Sequence, residues 1–124
     1  MVYEFAIAGE PVPQGSMRHV GGGRLIHSKH LIVWRKKVAA AVRSATDVTL
    51  AGPVIIDVLF CLSKPKTVKR DLPTVAPDLD KLQRAIGDAL SVDCDFLKDD
   101  AQVVEWHSRK IYGDPGVIIR IITT

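Results

Sequence analysis

The sequence predicts an α+β fold in which two helices pack on a mixed β-sheet, in the element order β-α-β-α-β-β. Segments near both ends and in the middle are apolar and β-branched or alternate in polarity, as strands do. Two intervening segments repeat apolar residues every three or four positions, as amphipathic helices do. The 124 residues, of which 47% are hydrophobic and 25% charged, fit one folded unit of 13.6 kDa. We therefore expect a single domain over residues 1–124.

The first half of the chain predicts a strand, a basic loop and a helix. Val2–Ala8 alternates between aromatic or aliphatic residues and polar or small ones. Residues 9–27 are rich in glycine and proline and include Arg18 and Arg24, which predicts a mobile basic loop. Residues 29–45 carry apolar side chains at helical spacing, with basic side chains on the other faces.

The second half predicts three strands and one helix. Residues 53–62 are apolar on both faces except for Asp57, which is typical of a central strand covered on at least one side. A cationic, proline-containing loop follows at 63–77, and a second helix is expected at 78–90. Strands at 101–112 and 117–123 flank an Asp-Pro-Gly turn, so we expect them to pair as a hairpin.

Several protein classes are excluded by composition. No apolar run approaches the roughly 18 residues of a membrane span, and the N-terminus lacks the pattern of a secretion signal. The two cysteines, Cys61 and Cys94, lack the pairwise spacing of a zinc site. We expect both to be reduced thiols of a cytoplasmic protein with no membrane partner.

The charges are unevenly distributed along the chain. The net charge is +3, yet 8 of the 14 acidic residues lie within residues 78–105, against 3 basic ones. Asp80, Arg84 and Asp88 are four residues apart and share one face of the predicted helix. Asp78 lies at the helix start, and the pair Asp99-Asp100 precedes the next strand.

Such a carboxylate cluster suits a hard, oxygen-preferring cation such as Mg²⁺ or Mn²⁺. The cation would offset the repulsion between the acids and activate water for in-line attack on a phosphodiester, with Arg84 stabilising charge in the transition state. A purely structural alternative stays open at this point. Asp78 and Asp80 would then stabilise the helix N-terminus, and the Asp80, Arg84 and Asp88 stripe would be a solvated face with ion pairs.

Two spaced motifs carry a family resemblance. Residues 77–86 read PDLDKLQRAI and are followed by DAL at 88–90, and DDAQVV occupies 99–104. With the weaker motif PVPQGSMR at 11–18, they resemble the RusA-like Holliday junction resolvases of bacteria, prophages and phages. Length and element order agree over nearly the whole chain. The resemblance implies a RusA-like fold and a homodimeric, Mg²⁺-dependent endodeoxyribonuclease that nicks two opposed strands of a four-way DNA junction, with Mn²⁺ as the other candidate ion.

The resemblance also implies roles for single residues. Asp78, Asp80 and Asp100 match the catalytic, metal-binding acids, and Asp99 is a candidate helper in metal binding. Arg84 stands where the family usually has a catalytic lysine, and Lys81 where it usually has asparagine. Arginine keeps the positive charge but does not donate a proton near neutral pH.

Cationic side chains are expected to contact DNA phosphates, which gives affinity without sequence information. The candidates are Arg18, Arg24, Lys64, Lys66, Lys69, Arg70 and Lys81, with Lys29, Arg35, Lys36 and Lys37 of the first helix as further candidates whose ordinary role is a solvated surface. Because Lys81 and Arg84 depart from the family pattern, a non-catalytic protein that binds junctions or duplex DNA is an alternative. A metal-dependent nuclease for other branched DNA is another.

Overall fold

Two helices and a four-stranded mixed sheet form the described fold, which confirms the predicted α+β class. A computed structural model describes residues 1–15, 18–20, 24–26 and 29–124, with the two short internal segments as backbone only. The strands are β1 (Val2–Ala8), β2 (Arg18–Val20), β3 (Arg24–Ile26), β4 (Val54–Leu62), β5 (Val103–Tyr112) and β6 (Gly116–Thr123). The helices are α1 (Lys29–Ala45) and α2 (Leu79–Asp88).

The sheet has the strand order β1-β6-β4-β5. β4 pairs in parallel with β5 and antiparallel with β6, and β6 pairs antiparallel with β1. Side chains of β4 alternate between buried and half-buried, as expected for a central strand with helices on one face only.

The predicted hairpin between the last two strands is wrong. β4 lies between β5 and β6, so these two strands do not pair with each other. The connection crosses the end of β4, where the Gly113 amide donates to the Leu62 carbonyl over 3.0 Å. The Asp-Pro-Gly motif indicates that the chain reverses direction, but it does not determine whether another strand lies between the two strands that flank it.

The loop predicted for residues 9–27 is also corrected in part. β2 and β3 pair antiparallel within it and form a separate two-stranded sheet. Residues 9–15 precede this pair and are held at three points. The Gly9 amide donates to the Pro115 carbonyl (3.0 Å), the Glu10 carboxylate accepts from the Ser63 amide (3.1 Å), and the Gln14 amide donates to the Lys81 carbonyl (2.8 Å).

The core lies between the helices and one face of the sheet. Leu31, Trp34, Val38 and Val42 of α1 are buried, and α2 buries Leu82, Ala85 and Ile86. These side chains pack against alternate residues of β1, β4 and β6, among them Phe5, Val58 and Ile119. The predicted amphipathic helix over residues 29–45 is confirmed at both ends. No helix in the described ranges is long and apolar enough to cross a bilayer.

The path from α2 to β5 brings the acidic residues near the sheet edge. The helix continues without a break into a π-helical turn, Ala89–Asp93, in which Ser91 donates to the Gly87 carbonyl over 2.8 Å. Phe96 and Leu97 then enter the core, and a 3₁₀ turn, Asp100–Gln102, leads into β5. β5 lies at the edge of the sheet and contacts α2, with Trp106 beside Gly87 and Ser108 bonded to Gln83.

Candidate active site

A cleft of about 260 Å³ opens between α2 and the start of β5. Its lining residues from the helix are Asp80, Gln83, Arg84 and Gly87, and Asp100 and Trp106 complete it. The helical positions are spaced three, four and seven residues from the first, so they form one face of α2. Trp106 packs beside Gly87, where its ring would lie in ordinary van der Waals contact, 3.6 Å, with an added Cβ.

Two of the predicted acids, Asp80 and Asp100, line this cleft. Asp80 lies in the first turn of α2, and Asp100 lies in the first position of the 3₁₀ turn. The hydrogen bond that a protonated Asp100 donates to the Asp99 carboxylate, burial, and the negative charges of Asp99 and Asp88 raise the pKa of Asp100. Carboxylates from two separate sequence motifs therefore crowd into one region.

The third predicted acid, Asp78, occupies the N-cap position of α2 but does not line the cleft. It has an extended backbone, and its side chain makes no capping hydrogen bond. The carboxylate instead lies 3.8 Å from the Lys81 ammonium, on an exposed surface. Within residues 1–15 and 29–124, no three histidine, cysteine or acidic side chains form a ready metal-binding cluster.

Asp99 caps the 3₁₀ turn that carries Asp100. Its carboxylate accepts a hydrogen bond from the Ala101 amide over 2.8 Å, while the Gln102 side chain accepts from the Asp99 amide over 2.9 Å. This reciprocal arrangement is a capping box, and it fixes the start of the turn that carries Asp100. Gln102 also donates to the Leu50 and Gly52 carbonyls, which anchors the turn to the segment before β4.

The ion pairs expected along the α2 stripe do not form among the described side chains. Arg84 is exposed at the cleft, and neither Asp80 nor Asp88 lies within ion-pair distance of it. Asp88 instead lies 3.9 Å from Arg35, whose guanidinium also holds Asp93 through hydrogen bonds of 2.7 and 3.0 Å. The sequence also suggests Arg35 as a candidate for DNA contact, but its guanidinium is paired with these two acids.

Three residues near the cleft were missed by sequence reasoning. The side-chain amide oxygen of Gln83, Oε1, accepts a hydrogen bond from the Ser108 hydroxyl over 2.6 Å, which joins α2 to β5 beside the acids. Lys110 donates to the Val75 and Pro77 carbonyls over 2.8 and 2.9 Å, directly before Asp78. Helical spacing from Asp80 could have identified Gln83. Ser108 and Lys110 required the pairing of β5 with β4.

The cationic loop at 63–77 is organised around Tyr112, at the end of β5. Arg70 donates to the tyrosine hydroxyl over 3.0 Å, and the Lys64 ammonium lies 5.8 Å from the ring centroid. Lys66 and Lys69 are exposed. The side chains of Arg18 and Arg24 lie outside the described residues, although the Gln14 contact ties the preceding segment to α2.

Comparison with known proteins gives one informative result. The family model for endodeoxyribonuclease RusA matches residues 8–122, which include every element after β1 except the last residue of β6. No curated protein gives a significant match. Because the match covers almost the whole chain, including α2, the acidic turn and β5, this chain belongs to the RusA family of endodeoxyribonucleases, the Holliday junction resolvases.

Proposed function

We propose that this enzyme resolves four-way DNA junctions by hydrolysing two opposed phosphodiester bonds, with the help of a divalent cation, Mg²⁺ or Mn²⁺. The observation that carries the proposal is the shared cleft of Asp80, Arg84 and Asp100. Two carboxylates supply hard oxygen ligands for a cation, and the guanidinium in the same cleft can donate hydrogen bonds to an anionic phosphate.

The chemistry of the donor set fits a divalent cation. Asp99, Asp100 and Asp88 concentrate negative charge near one end of the cleft, and a bound cation offsets such repulsion. We assign Asp78, Asp80 and Asp100 as ligands, with Asp99 as a helper that also caps its turn. The carboxylate of Asp78 makes no capping bond in the helix, and it would exchange its exposed ion pair with Lys81 for the cation. When bound, the cation would increase the acidity of water and offset charge on the scissile phosphate.

Arg84 is assigned as the electrostatic partner of the reaction. Its guanidinium is exposed at the cleft and is not held by Asp80 or Asp88, so it is free to donate two hydrogen bonds to phosphate oxygens. Lys81 lies one turn earlier on α2 and pairs with Asp78, so it adds positive charge at the helix start. Arg84 would stabilise charge on the phosphorane-like transition state without transferring a proton.

DNA would approach the cleft along the cationic loop. We assign Lys64, Lys66, Lys69, Arg70 and Lys81 to phosphate contacts, together with Arg18 and Arg24 from the segment that follows residues 9–15. Lys64 and Arg70 are held near Tyr112, which lies on the strand that also lines the cleft. Such contacts give affinity that falls steeply with salt concentration.

We also propose that the enzyme acts as a homodimer. A four-way junction has approximate two-fold symmetry, and resolution requires two cuts that this symmetry relates. One copy presents a single cleft of this kind in its described residues, so two copies are needed to present one cleft to each strand.

The Asp80→Asn substitution tests the proposal directly. It keeps the shape of the side chain but removes its charge, so cleavage of a synthetic four-way junction in Mg²⁺ should fall by at least about 1,000-fold. Junction binding, measured by gel shift without Mg²⁺, should remain within about threefold, because phosphate contacts carry the affinity. Asp47→Asn, in the exposed segment after α1, is the matched control and should cleave like the wild type.

The same assay separates the alternatives. If the wild type binds junctions in a salt-dependent way but does not nick them at any pH with Mg²⁺ or Mn²⁺, the chain is a binding protein. If it cleaves flaps as fast as junctions, it is a nuclease for branched DNA in general. Wild-type cleavage by Asp80→Asn would show that the catalytic assignment is wrong.

A further inference from the structure

We propose that a second pocket, between the cationic loop and residues 9–15, binds a nucleobase of the junction that has left its base stack. This inference rests on the proposed function and adds a base contact to it, whereas all the DNA contacts assigned above go to phosphates. The pocket has a volume of about 180 Å³ and includes Glu10, Arg70 and Tyr112 in its lining. Its described lining shares no residue with the cleft between α2 and β5.

The walls of this pocket are apolar and rigid. Leu62, Val75 and Ala76 supply aliphatic surface, and four of the seven prolines of the chain complete it. These prolines are Pro11, Pro65, Pro73 and Pro77. Proline fixes its own φ and has no backbone N–H, so these walls hold their shape and present few amide donors that need a partner. A flat ring can therefore leave water here at little cost in ordering the chain.

Hydrogen bonds fix the polar groups around the pocket. The Glu10 carboxylate accepts from the Ser63 amide over 3.1 Å, which joins the segment after β1 to the cationic loop. Arg70 donates to the Tyr112 hydroxyl over 3.0 Å. Lys110 donates to two carbonyls near the end of the loop, over 2.8 and 2.9 Å. The pocket is therefore formed before a ligand enters, as most ligand sites are.

The volume of the pocket selects the kind of ligand. About 180 Å³ holds roughly six water molecules and lies below the roughly 300 Å³ at which pockets for drug-sized ligands begin. One planar heterocycle fits, whereas a complete nucleotide does not, so the sugar and phosphate would stay outside. The bond from Arg70 to Tyr112 uses only Nε, so the two Nη groups can donate to the phosphate of the same nucleotide.

Two side chains in the lining suit a nucleobase. Tyr112 supplies an aromatic ring, and the stacking of bases on such rings is a general source of affinity for unpaired nucleic acid. Glu10 is out of place on a surface that binds phosphates, because an ionised carboxylate repels them and only accepts hydrogen bonds. A base with an exocyclic amino group, adenine or cytosine, would donate to it. Thymine has a carbonyl oxygen at that position, so we expect thymine to be disfavoured.

The pocket lies on the path that leads from the cleft along β5. Trp106 lines the cleft and Tyr112 lines the pocket, and both are half-buried on the same side of the strand. Six residues of a strand span about 20 Å, which equals about six nucleotides of stacked DNA. Pro77 of the lining directly precedes Asp78. The docked base should therefore lie within about six nucleotides of the cut.

The surrounding charge favours a nucleic acid over a peptide as the ligand. The loop that forms one wall of the pocket also carries the exposed side chains of Lys64, Lys66 and Lys69. Such a cluster attracts a polyanion, and DNA already has to reach the neighbouring cleft. A base that leaves the stack near the cut is then brought to the pocket by the strand that carries it.

Abasic substitution tests the pocket without catalysis. Four-way junctions that lack one base on each cut strand, at positions up to about six nucleotides from the cut, are titrated with the full chain without Mg²⁺ by fluorescence anisotropy. Loss of the docked base should weaken binding by about 5- to 150-fold, because its stacking on an aromatic ring is lost. The other positions should stay within about threefold, because phosphate contacts carry that affinity. Equal affinity at every position would overturn the inference.

Two variants assign the loss to this pocket. The quantity compared is the ratio of the affinities for the intact and the abasic junction, so a general loosening of the loop cancels. Tyr112→Leu should bring the ratio to about one, whereas Tyr112→Phe keeps the ring and should keep the ratio. Ala76→Trp fills the pocket from an exposed position and should also bring the ratio to about one, which decides the matter if Tyr112→Leu does not fold. An unchanged ratio in either folded variant would refute the site.

The Glu10→Gln substitution tests the contact to the base edge. At the position found by the scan, the wild type should bind adenine or cytosine at least about tenfold more tightly than thymine, because a thymine oxygen would face the carboxylate. Glu10→Gln offers an amide donor as well and should reduce this preference to less than about threefold. Asp47→Asn, in the exposed segment after α1, should keep the full preference. An unchanged preference in Glu10→Gln would overturn the assigned edge contact.

Cleavage in Mg²⁺ separates this inference from the proposed function. A wild type that shows the base dependence in binding but does not cut junctions would disprove the proposed function and leave the pocket assigned. A wild type that cuts junctions, while every base in the scanned positions is dispensable for binding, would disprove the pocket alone.

Discussion

Lys110 of β5 holds the residue that precedes Asp78, since its ammonium donates to the Pro77 carbonyl over 2.9 Å. The same ammonium donates to the Val75 carbonyl over 2.8 Å. One half-buried lysine of the sheet thus ties the end of the cationic loop to the start of the helix that bears Asp80. The direction in which the chain enters α2 is therefore set by β5.

The Lys110→Met substitution should impair cleavage more than folding. It removes both hydrogen bonds and keeps the apolar stem, so the start of α2 loses its anchor. We expect single-turnover cleavage at saturating junction to fall by about 10- to 100-fold, because small displacements of catalytic groups are costly. Urea unfolding should show a loss of about 1–3 kcal/mol. Lys36→Met, on the surface of α1, is the control, and a wild-type rate for Lys110→Met would contradict the anchoring role.

Substitution of Arg84 should distinguish charge stabilisation from proton transfer. Arg84→Ala should lower the single-turnover rate by about 100- to 1,000-fold, as loss of one preorganised donor does elsewhere. Arg84→Lys keeps the charge and should retain the rate to within about tenfold. If the lysine variant were much faster than the wild type, with a new dependence on pH above neutrality, proton donation by the lysine would be indicated. Unchanged cleavage by Arg84→Ala would remove this residue from the mechanism.

Arg43 of α1 should be a large contributor to stability, although it lies outside the cleft. Its guanidinium donates to the carbonyls of Cys94 (2.6 Å) and Val48 (2.9 Å), and so ties the segments after both helices to α1. Arg43→Met leaves the part-buried carbonyl of Cys94 and the exposed carbonyl of Val48 without this donor, and we expect the free energy of unfolding in urea to fall by about 2–4 kcal/mol. Arg43→Lys should recover less than half of that, because one ammonium cannot reach both acceptors. A loss no larger than that of Lys36→Met would refute the role.

His107 should titrate above its ordinary value. The hydrogen bond of Glu105, with the charges of Glu105 and Asp57, raises the pKa of His107 above 6.5. The protonated form is favoured in the folded chain, so its contribution to stability is complete below about pH 6.5 and is lost as the pH rises through the folded-state pKa. NMR titration of the histidine side chains should show the raised pKa of His107.

Glu105→Gln supplies the comparison for this titration. It removes the principal cause and should return the pKa of His107 toward its ordinary value, whereas Glu4→Gln, on the opposite edge strand, should leave it unchanged. An equal pKa of His107 with and without Glu105 would show that the hydrogen bond does not form in solution.

Local patterns predicted the elements well but not how the strands pair. The bounds of β1 and α1 follow from alternation in Val2–Ala8 and from helical spacing in Lys29–Ala45, because each pattern repeats over several turns or pleats. The expected hairpin of β5 and β6 was wrong because the pairing partner of a strand lies far away in sequence. β4, more than 40 residues before β5, separates them.

The residues of the candidate site were also predicted from local patterns, but their arrangement in space was not. Helical spacing alone puts Asp80 and Arg84 on one face of α2, and the second motif identified Asp100 as a partner. Whether the two motifs meet depends on the π-helical turn, the capping box at Asp99 and the packing of Phe96 and Leu97. None of these has a strong sequence signal.

The sequence by itself determined which residues are apolar, where α1 begins and ends, and which acids belong to the two motifs of the family. Only the tertiary structure decided that Asp80 and Asp100 share a cleft while Asp78 faces Lys81, and that Arg35 is held by Asp88 and Asp93. The physical reason is that periodicity is a local property of the chain. Which distant carboxylates line one cleft depends on long-range packing and strand register.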